Sequence, residues 1–249
     1  MTRVICVCSG KGGTGKTSII ANLGVALAQR QRKVVLIDAD LLASSLSFYL
    51  GIKNFSKSLQ DVLTQRADIF DALQVGPSGT FILPTDAYSL DATNFDALPS
   101  AIQLLEDKFD FVLIDAPAGF DQIAQTAIKV SHEILIVSLP TTVAITDAYK
   151  IKVLASNFGK NVIGVILNRV KKMPNEVSNE YVTKVLGLPL LEVIPEDKEM
   201  EISTSIEKPL ILFRSNSPAA ISIEKIVSNL LGERLRISWF TKLRSKLGF

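Results

Sequence analysis

A glycine-rich segment near the amino terminus constrains this 249-residue chain more than any other feature. Residues 10–17 read Gly-Lys-Gly-Gly-Thr-Gly-Lys-Thr and match the pattern G-x-x-x-x-G-K-[ST]. The apolar run Arg3–Cys8 predicts a strand before it, and Lys16–Gln29 predicts a helix after it. In that context, backbone N–H groups of the loop and of the helix start surround phosphate oxygens. We therefore expect nucleotide contacts from Gly10, Lys11, Gly12, Gly13, Thr14, Gly15, Lys16, Thr17 and Ser18.

Short apolar runs alternate with helical patterns along the rest of the chain. Further strands are predicted at 33–37, 80–83, 111–114, 134–138, 162–167 and 190–193. Further helices are predicted at 58–65, 100–108, Gln122–Val130, 143–157, 175–186 and Pro218–Leu231. Near-continuous apolar strands are typical of sheets covered on both faces, and the alternation favours parallel pairing. The predicted fold is therefore α/β: a mostly parallel, doubly wound sheet over residues 1–232, followed by a C-terminal amphipathic helix within residues 233–249.

Composition and charge exclude several classes of protein. With 47% hydrophobic residues the chain is too apolar for intrinsic disorder. It contains no run of 18 apolar residues that would predict a membrane-spanning helix. Its two cysteines lie two residues apart and cannot form a disulfide framework that stabilises a fold, which favours a cytoplasmic location. The net charge is +2, yet residues 234–249 hold five basic side chains and no acidic one. The remaining residues are mildly acidic, so DNA is an unlikely partner.

Acidic residues follow two of the predicted strands. Asp38 and Asp40 follow the strand at 33–37, and Asp115 follows the strand at 111–114. Carboxyl ends of parallel strands meet at one edge of a sheet, close to the phosphate loop. Mg²⁺ prefers oxygen ligands, and Thr17 of the motif is expected to bind it while Lys16 reaches the β- and γ-phosphates. The alternative for Asp38 and Asp40 is a turn capped by its own side chains.

The second lysine of the loop, Lys11, identifies a family. Lys-Gly-Gly-Thr-Gly-Lys-Thr resembles the deviant Walker A motif of the MinD/ParA family of P-loop ATPases. The resemblance implies that Lys11 reaches across an ATP-dependent homodimer to the partner's phosphates. It also implies that Asp115 is the Walker B residue that holds a metal-bound water, that Asp38 supports the metal shell and that Asp40 orients the attacking water. The alternative for Lys11 is a solvated surface lysine.

The same resemblance defines switch I as residues 38–45 and switch II as residues 115–119. Many MinD-like chains carry asparagine a few residues after the second aspartate, where this chain has Ser44 and Ser45. The contacts of the second lysine or the closure of switch I are therefore expected to differ here.

Two polar segments at later strand ends resemble the adenine pocket of that family. Asn168 and Arg169 follow the strand at 162–167, and Pro195, Glu196 and Asp197 follow the strand at 190–193. An asparagine amide offers the donor and acceptor that match the adenine edge. No Asn-Lys-x-Asp guanine motif occurs, which favours ATP. The alternative is that Asn168 and Asp197 only cap turns or helices.

The last sixteen residues form one apolar face when wound as a helix at about 100° per residue. Basic side chains flank that face, which is typical of a helix lying on an anionic membrane surface. The expected membrane residues are Leu235, Trp239, Phe240, Lys242, Leu243, Arg244, Lys246 and Leu247. A protein partner, an oligomer contact or a final core helix would leave a similar pattern. Such a tail resembles the MinD branch of the family, since typical ParA proteins lack it.

These features together predict a MinD-like ATPase with ATP and Mg²⁺ as ligands. It would dimerise with ATP, bind the inner face of the cell membrane from the cytoplasm, and position cell-division machinery or another assembly. Hydrolysis would drive its release, and an activator or cargo protein is expected. The alternatives are a ParA-type DNA-partitioning ATPase, a metabolic ATP-dependent enzyme on the same fold, and a nucleotide-gated scaffold.

Overall fold

A computed structural model describes residues 1–41, 44–86 and 95–233. The predicted tail helix therefore lies outside the described residues. The described strands are β1 (Arg3–Cys8), β2 (Val34–Asp38), β3 (Gln74–Val75), β4 (Phe81–Leu83), β5 (Phe111–Asp115), β6 (Glu133–Ser138), β7 (Asn161–Val170) and β8 (Leu190–Pro195). They form one eight-stranded sheet in the order β3-β4-β2-β5-β1-β6-β7-β8. Only β3 is antiparallel among these strands, so the predicted mostly parallel α/β sheet is confirmed.

Helices cover both faces of this sheet. They are α1 (Lys16–Gln29), α2 (Leu46–Tyr49), α3 (Leu59–Leu63), α4 (Ile69–Ala72), α5 (Leu98–Leu105), α6 (Gln122–Val130), α7 (Thr142–Asn157), α8 (Asn179–Leu186), α9 (Lys198–Ser205), α10 (Leu210–Phe213) and α11 (Pro218–Leu231). Short 3₁₀ turns occupy Pro77–Gly79 and Phe95–Ala97. Among the described helices, none is long and apolar enough to cross a membrane.

Strand β1 at the centre of the sheet shows how the sequence divides the core in two. Its Val4, Cys6 and Cys8 side chains pack with α3 to α8, whereas Ile5 and Val7 pack with α1, α10 and α11. Alternate residues of a strand point to opposite faces and helices cover both, so residues 4–8 are all buried, whereas Arg3 at the strand start is half-buried. Both cysteines are therefore small core residues on one face, as expected from their spacing.

Some boundaries differ from the sequence prediction because local caps determine them. Helix α8 begins at Asn179 instead of 175, since the Ser178 side chain accepts the backbone N–H of Tyr181 and caps the helix there. Helix α5 begins earlier than predicted, at Leu98, with a proline in its first turn. The sequence does not predict β3, α2, α4 or α10, because elements of two to four residues leave little periodicity. Helix α9 is also absent from the prediction, although it has eight residues.

The parallel pairing brings the carboxyl ends of β2, β5 and β1 together. Asp38 at the end of β2 pairs in register with Asp115 at the end of β5. Strand β1 lies between β5 and β6 and continues into the phosphate loop. The acidic residues and the loop therefore meet at one edge of the sheet.

Gly164 in β7 gives a test of this packing. It lies at a bulge with φ of 154°, and a Cβ there would stand 2.7 Å from the Pro189 carbonyl oxygen. Gly164→Ala should lower the free energy of unfolding by at least about 3 kcal/mol, because strain and backbone overlap combine. Gly159 has φ of 65° but open space around it, so Gly159→Ala should cost only about 1 kcal/mol. Equal losses in urea unfolding would contradict the packing around β7.

Candidate active site

The phosphate loop is held in place by a side chain from β7. Gly15 precedes α1 with φ of 85°, a left-handed conformation that favours glycine. A Cβ on Gly15 would lie 2.4 Å from the Asn168 side-chain nitrogen, and that nitrogen donates to the Thr14 carbonyl oxygen at 2.7 Å. The loop and Asn168 therefore fit closely, and one amide hydrogen of Asn168 holds the loop.

A cavity of about 580 Å³ opens over this loop. The structure brings most of the predicted nucleotide-binding residues to its wall, namely Lys11, Gly12, Gly13, Thr14, Gly15, Lys16, Thr17, Ser18, Asn168, Arg169, Pro195, Glu196 and Asp197. Asp40 lines it as well. Gly10 does not line the cavity but lies against Asp147 of α7. Asp38 and Asp115 lie beneath the cavity, fully buried.

A buried ion pair forms the floor of the site. Lys16 Nζ lies 2.6 Å from Asp115 Oδ1, and the two side chains are 6% and 1% exposed. Burial alone would lower the pKa of Lys16, but the charge and hydrogen bond of Asp115, together with the charges of Asp40 and Asp38, outweigh burial and raise the pKa. Burial raises the pKa of Asp115, and Lys16 offsets only part of that rise. Lys16 therefore stays charged at the base of the cavity.

The other carboxylate oxygen of Asp115 fits a metal ligand. Asp115 Oδ2 is buried and has no hydrogen-bond partner among the described residues. Such an orphaned atom is costly unless a ligand satisfies it. The Thr17 hydroxyl is close enough to lower the pKa of Asp115. Mg²⁺ sites combine one or two carboxylate oxygens with phosphate oxygens and water, so the Asp115 carboxylate beside the Thr17 hydroxyl suits this ion.

Asp38 is organised mainly by its own loop. Its Oδ1 accepts the Asp40 N–H at 3.2 Å, and its Oδ2 accepts the Leu46 N–H at 3.1 Å. Burial, with the negative charge of Asp115 beside it, raises the pKa of Asp38 to about 7. The capped turn considered for the Asp38–Asp40 segment is therefore present. The geometry favours a role for Asp38 in shaping switch I around the metal position.

The side of the cavity where the sequence analysis expects the adenine pocket is bounded by the ends of β7 and β8. Arg169, in a left-handed conformation with φ of 61°, forms two 2.9 Å contacts with Glu196. This pairing lowers the pKa of Glu196 and raises that of Arg169. Asp197 accepts the N–H groups of Glu199 and Ala219 at 3.0 Å, so it caps α9 and contacts the start of α11. Its carboxylate is thus a helix cap, while its backbone remains on the cavity wall.

The sequence analysis missed several residues that line the cavity, namely Tyr49 from α2, three residues of α9, Ser9, Ile194 and Ala219. Ser45 and Ala118 also line it and belong to the predicted switch I and switch II. The α9 residues are Met200, Glu201 and Thr204. The signal for α9 was present, because Asp197 followed by Glu199 and Glu201 is typical of a helix start. Tyr49 had no signal, since its place depends on how α2 meets α9.

The raised pKa of Asp38 predicts a pH dependence of stability. In the nucleotide-free protein the folded-state value, about 7, lies above the usual 3.8. The stabilisation from protonated Asp38 is then complete below about pH 4 and is lost as the pH rises through 7. The unfolding free energy of the wild type should therefore decline by a few kcal/mol between pH 4 and 8, and Asp38→Asn should abolish that decline. Asp71→Asn, at an exposed carboxylate, should leave the decline unchanged; identical pH profiles for wild type and Asp38→Asn would contradict the assignment.

Comparison with known proteins identifies the family of the chain. Residues 5–210 match the family described as the CobQ/CobB/MinD/ParA nucleotide binding domain. The septum site-determining protein MinD of Synechocystis sp. is 35% identical over 243 residues, covering 94% of this chain and 91% of that protein. The septum site-determining protein MinD of Pyrococcus horikoshii, complexed with Mg-ADP, is 34% identical with a TM-score of 0.88, covering 95% of this chain and 100% of that chain. MinD in the MinC:MinD cell division protein complex of Aquifex aeolicus is 30% identical with a TM-score of 0.86, covering 95% and 98%. This chain therefore belongs to the CobQ/CobB/MinD/ParA family of nucleotide-binding domains, which confirms the resemblance drawn from its phosphate loop.

Proposed function

We propose that this chain is a Mg²⁺-dependent ATPase of the MinD type, which dimerises with ATP, binds a membrane surface and positions a cellular assembly. The observation that carries the proposal is the buried Lys16–Asp115 pair, with its orphaned carboxylate oxygen, beneath a glycine-rich loop and an open cavity. The relative from Pyrococcus horikoshii, whose structure has a Mg-ADP complex, supports the same ligands here.

Phosphate binding follows from the loop. Backbone N–H groups around Gly13 and Gly15 would surround phosphate oxygens, and the dipole of α1 adds to their positive potential. Lys16 would then exchange its contact with Asp115 for contacts with the β- and γ-phosphates. Thr17 and Asp115 would hold Mg²⁺, with Asp38 supporting them. When bound, Mg²⁺ would neutralise negative charge on the phosphate oxygens.

Asp40 is proposed to orient the attacking water. It lines the cavity, and its backbone N–H is fixed by Asp38. A carboxylate at this wall can accept a hydrogen bond from a water and hold it in line with the γ-phosphate. This contact gains strength mainly in the transition state, so Asp40 serves turnover more than binding.

Lys11 is proposed to act on a partner subunit. Its side chain is partly exposed at the cavity wall and forms no ion pair with any residue in the described ranges. A lysine without an ion pair among the described residues is available for phosphates bound by a second copy. Two subunits closing face to face over ATP would place two such lysines in one interface.

The membrane-binding tail is proposed to respond to ATP through that dimer. Helix α11 ends at Leu231, where Arg3 donates to the Leu230 carbonyl oxygen and Arg30 contacts Glu233 at 2.8 Å. Arg3 opens β1, and the phosphate loop follows the other end of that six-residue strand. At about 3.3 Å per residue, this strand separates Arg3 from the loop by about 20 Å. The proposed coupling needs no direct contact between tail and nucleotide.

Avidity supplies the coupling instead. A basic residue near an anionic bilayer contributes about 1 kcal/mol, and inserted apolar side chains add to this. Ordering the tail and losing molecular freedom oppose these gains, so one short helix should bind weakly. A closed dimer presents two tails, which raises the avidity by about 10²–10⁴. Hydrolysis would then release the protein by separating the tails.

The proposed biological role is the positioning of cell-division machinery or another membrane-associated assembly. The relatives named as septum site-determining proteins and the MinC:MinD cell division complex support it. In this proposal the activator or cargo is a protein that binds the ATP-loaded dimer.

The roles of Asp40 and Lys11 can be separated in one series. Asp40→Ala should bind ATP normally, lose turnover and accumulate ATP-dependent dimers, because only the attacking water is lost. Adding Lys11→Ala should abolish those dimers while leaving ATP binding by the monomer within about twofold. Light scattering and ATP titration measure the two effects. Equal dimer populations in the two backgrounds would assign Lys11 to the solvated surface, and normal turnover in Asp40→Ala would remove Asp40 from its role.

Sedimentation with anionic liposomes tests the membrane proposal. The full chain should sediment with ATP, less with ADP, and less at high salt, because charge attraction is screened. Deleting residues 234–249, or combining Trp239→Glu with Leu243→Glu, should abolish sedimentation.

The matched control places the same charges on the opposite side of the helical wheel. Thr241→Glu with Ser245→Glu should reduce sedimentation only partly, since the apolar face remains intact. A tail-deleted protein that sediments as well as the full chain would contradict membrane binding through the tail.

A further inference from the structure

A hydroxyl in switch I joins the first acidic residue of the site to a neighbouring strand. Ser44 Oγ lies 3.1 Å from Asp38 Oδ2 and 2.8 Å from the carbonyl oxygen of Thr85. Both are acceptors of the Ser44 hydroxyl, which has one proton. Ser44 therefore links Asp38 at the end of β2 to Thr85, two residues after β4.

A second hydrogen bond joins Asp38 and Thr85 directly. Thr85 is 1% exposed, and its Oγ1 donates to the Asp38 carbonyl oxygen at 2.5 Å. The Leu46 N–H donates to the same carboxylate oxygen of Asp38 that Ser44 approaches. Asp38 is thus hydrogen-bonded to three other described residues, Ser44, Leu46 and Thr85.

Thr85 is a firm anchor because both of its neighbours are fixed by α3. The Leu59 N–H donates to the Pro84 carbonyl oxygen at 2.7 Å. The buried Gln60 amide forms two hydrogen bonds with the backbone of Asp86, at 2.8 and 3.1 Å. Movement of Thr85 would break these bonds, so Ser44 is tied to a rigid part of the domain.

We propose that Ser44 is a positioning residue that holds Asp38, and through it Asp40, in the arrangement required for turnover. Asp40 follows Asp38 by two residues and lines the cavity, as Ser45 does, whereas Ser44 does not. Ser44 therefore acts through Asp38 and does not touch the nucleotide. This role rests on the proposed ATPase function. It also gives a purpose to the Ser44-Ser45 pair that departs from the family pattern.

The proposal predicts an effect on turnover that is separate from binding. Phosphate contacts come from residues 10–18, which Ser44 does not approach. Ser44→Ala removes one bond to a buried acceptor and loosens Asp38, so kcat should fall about tenfold. The KM for ATP and the Kd for ADP should stay within about twofold, because the phosphate loop is unchanged.

The experiment compares three variants of the full chain. Ser44→Ala should show the kcat defect, and Ser44→Thr, which keeps the hydroxyl, should restore at least half of the wild-type rate. Ser47→Ala, three residues later in α2 and outside the cavity, should match the wild type. Wild-type kcat in Ser44→Ala, or a defect that Ser44→Thr does not repair, would overturn the proposal.

Hydrogen exchange of the nucleotide-free protein separates this proposal from the ATPase itself. The amides of Asp40 and Leu46, both bonded to Asp38, should exchange faster in Ser44→Ala than in Ser47→Ala. This result would support the positioning role even if the wild type hydrolysed no ATP, an outcome that would refute only the proposed function. Unchanged exchange at both amides would overturn the role of Ser44 regardless of activity.

Discussion

The buried contact between Lys16 and Asp115 is the interaction on which the rest of the site depends. It joins the first residue of α1 to the last residue of β5, at 2.6 Å and away from solvent. Breaking such a pair would leave an uncompensated buried charge, which costs several kcal/mol. The pair therefore fixes the start of α1 over the sheet edge and keeps a charged amine at the base of the cavity. The same arrangement leaves one oxygen of Asp115 without a partner among the described residues, which suits a cation.

Polar contacts on both sides of this pair, and in the loop above it, define the cavity. On the phosphate side, hydrogen bonds to Asp38 shape switch I, and Thr85 connects it to the end of β4. On the base side, Asp197 orders the starts of α9 and α11, and Arg169 pairs with Glu196. The loop itself is held by Asn168 from β7. Hydrogen bonds and ion pairs thus hold the described walls of the cavity in place without a bound nucleotide.

Much of the fold could be read from the sequence because its signals are local. Helices α1, α6 and α11 have the bounds predicted, and their starts follow Gly15, Asp121 and Ser217, residues typical of helix N-termini. The phosphate loop and the acidic strand ends are local patterns of the same kind. Short elements such as β3 and α10 were missed because they have too few residues to show a periodic pattern. The contacts of Asn168 with Thr14, and of Ser44 with Thr85, join distant segments, so no local pattern predicts them.

The central claim is that Lys16 and Asp115 together form a site for a nucleotide and its metal ion, and calorimetric titration with ATP tests it most directly. The full chain should bind one ATP per subunit, and Mg²⁺ should tighten binding at least about tenfold, which corresponds to about 1.4 kcal/mol. Asp115→Asn should still bind ATP without Mg²⁺ but lose the gain that Mg²⁺ gives, because the carboxylate ligand is gone. An absence of ATP binding by the full chain, or an Mg²⁺ effect that Asp115→Asn leaves intact, would contradict the account.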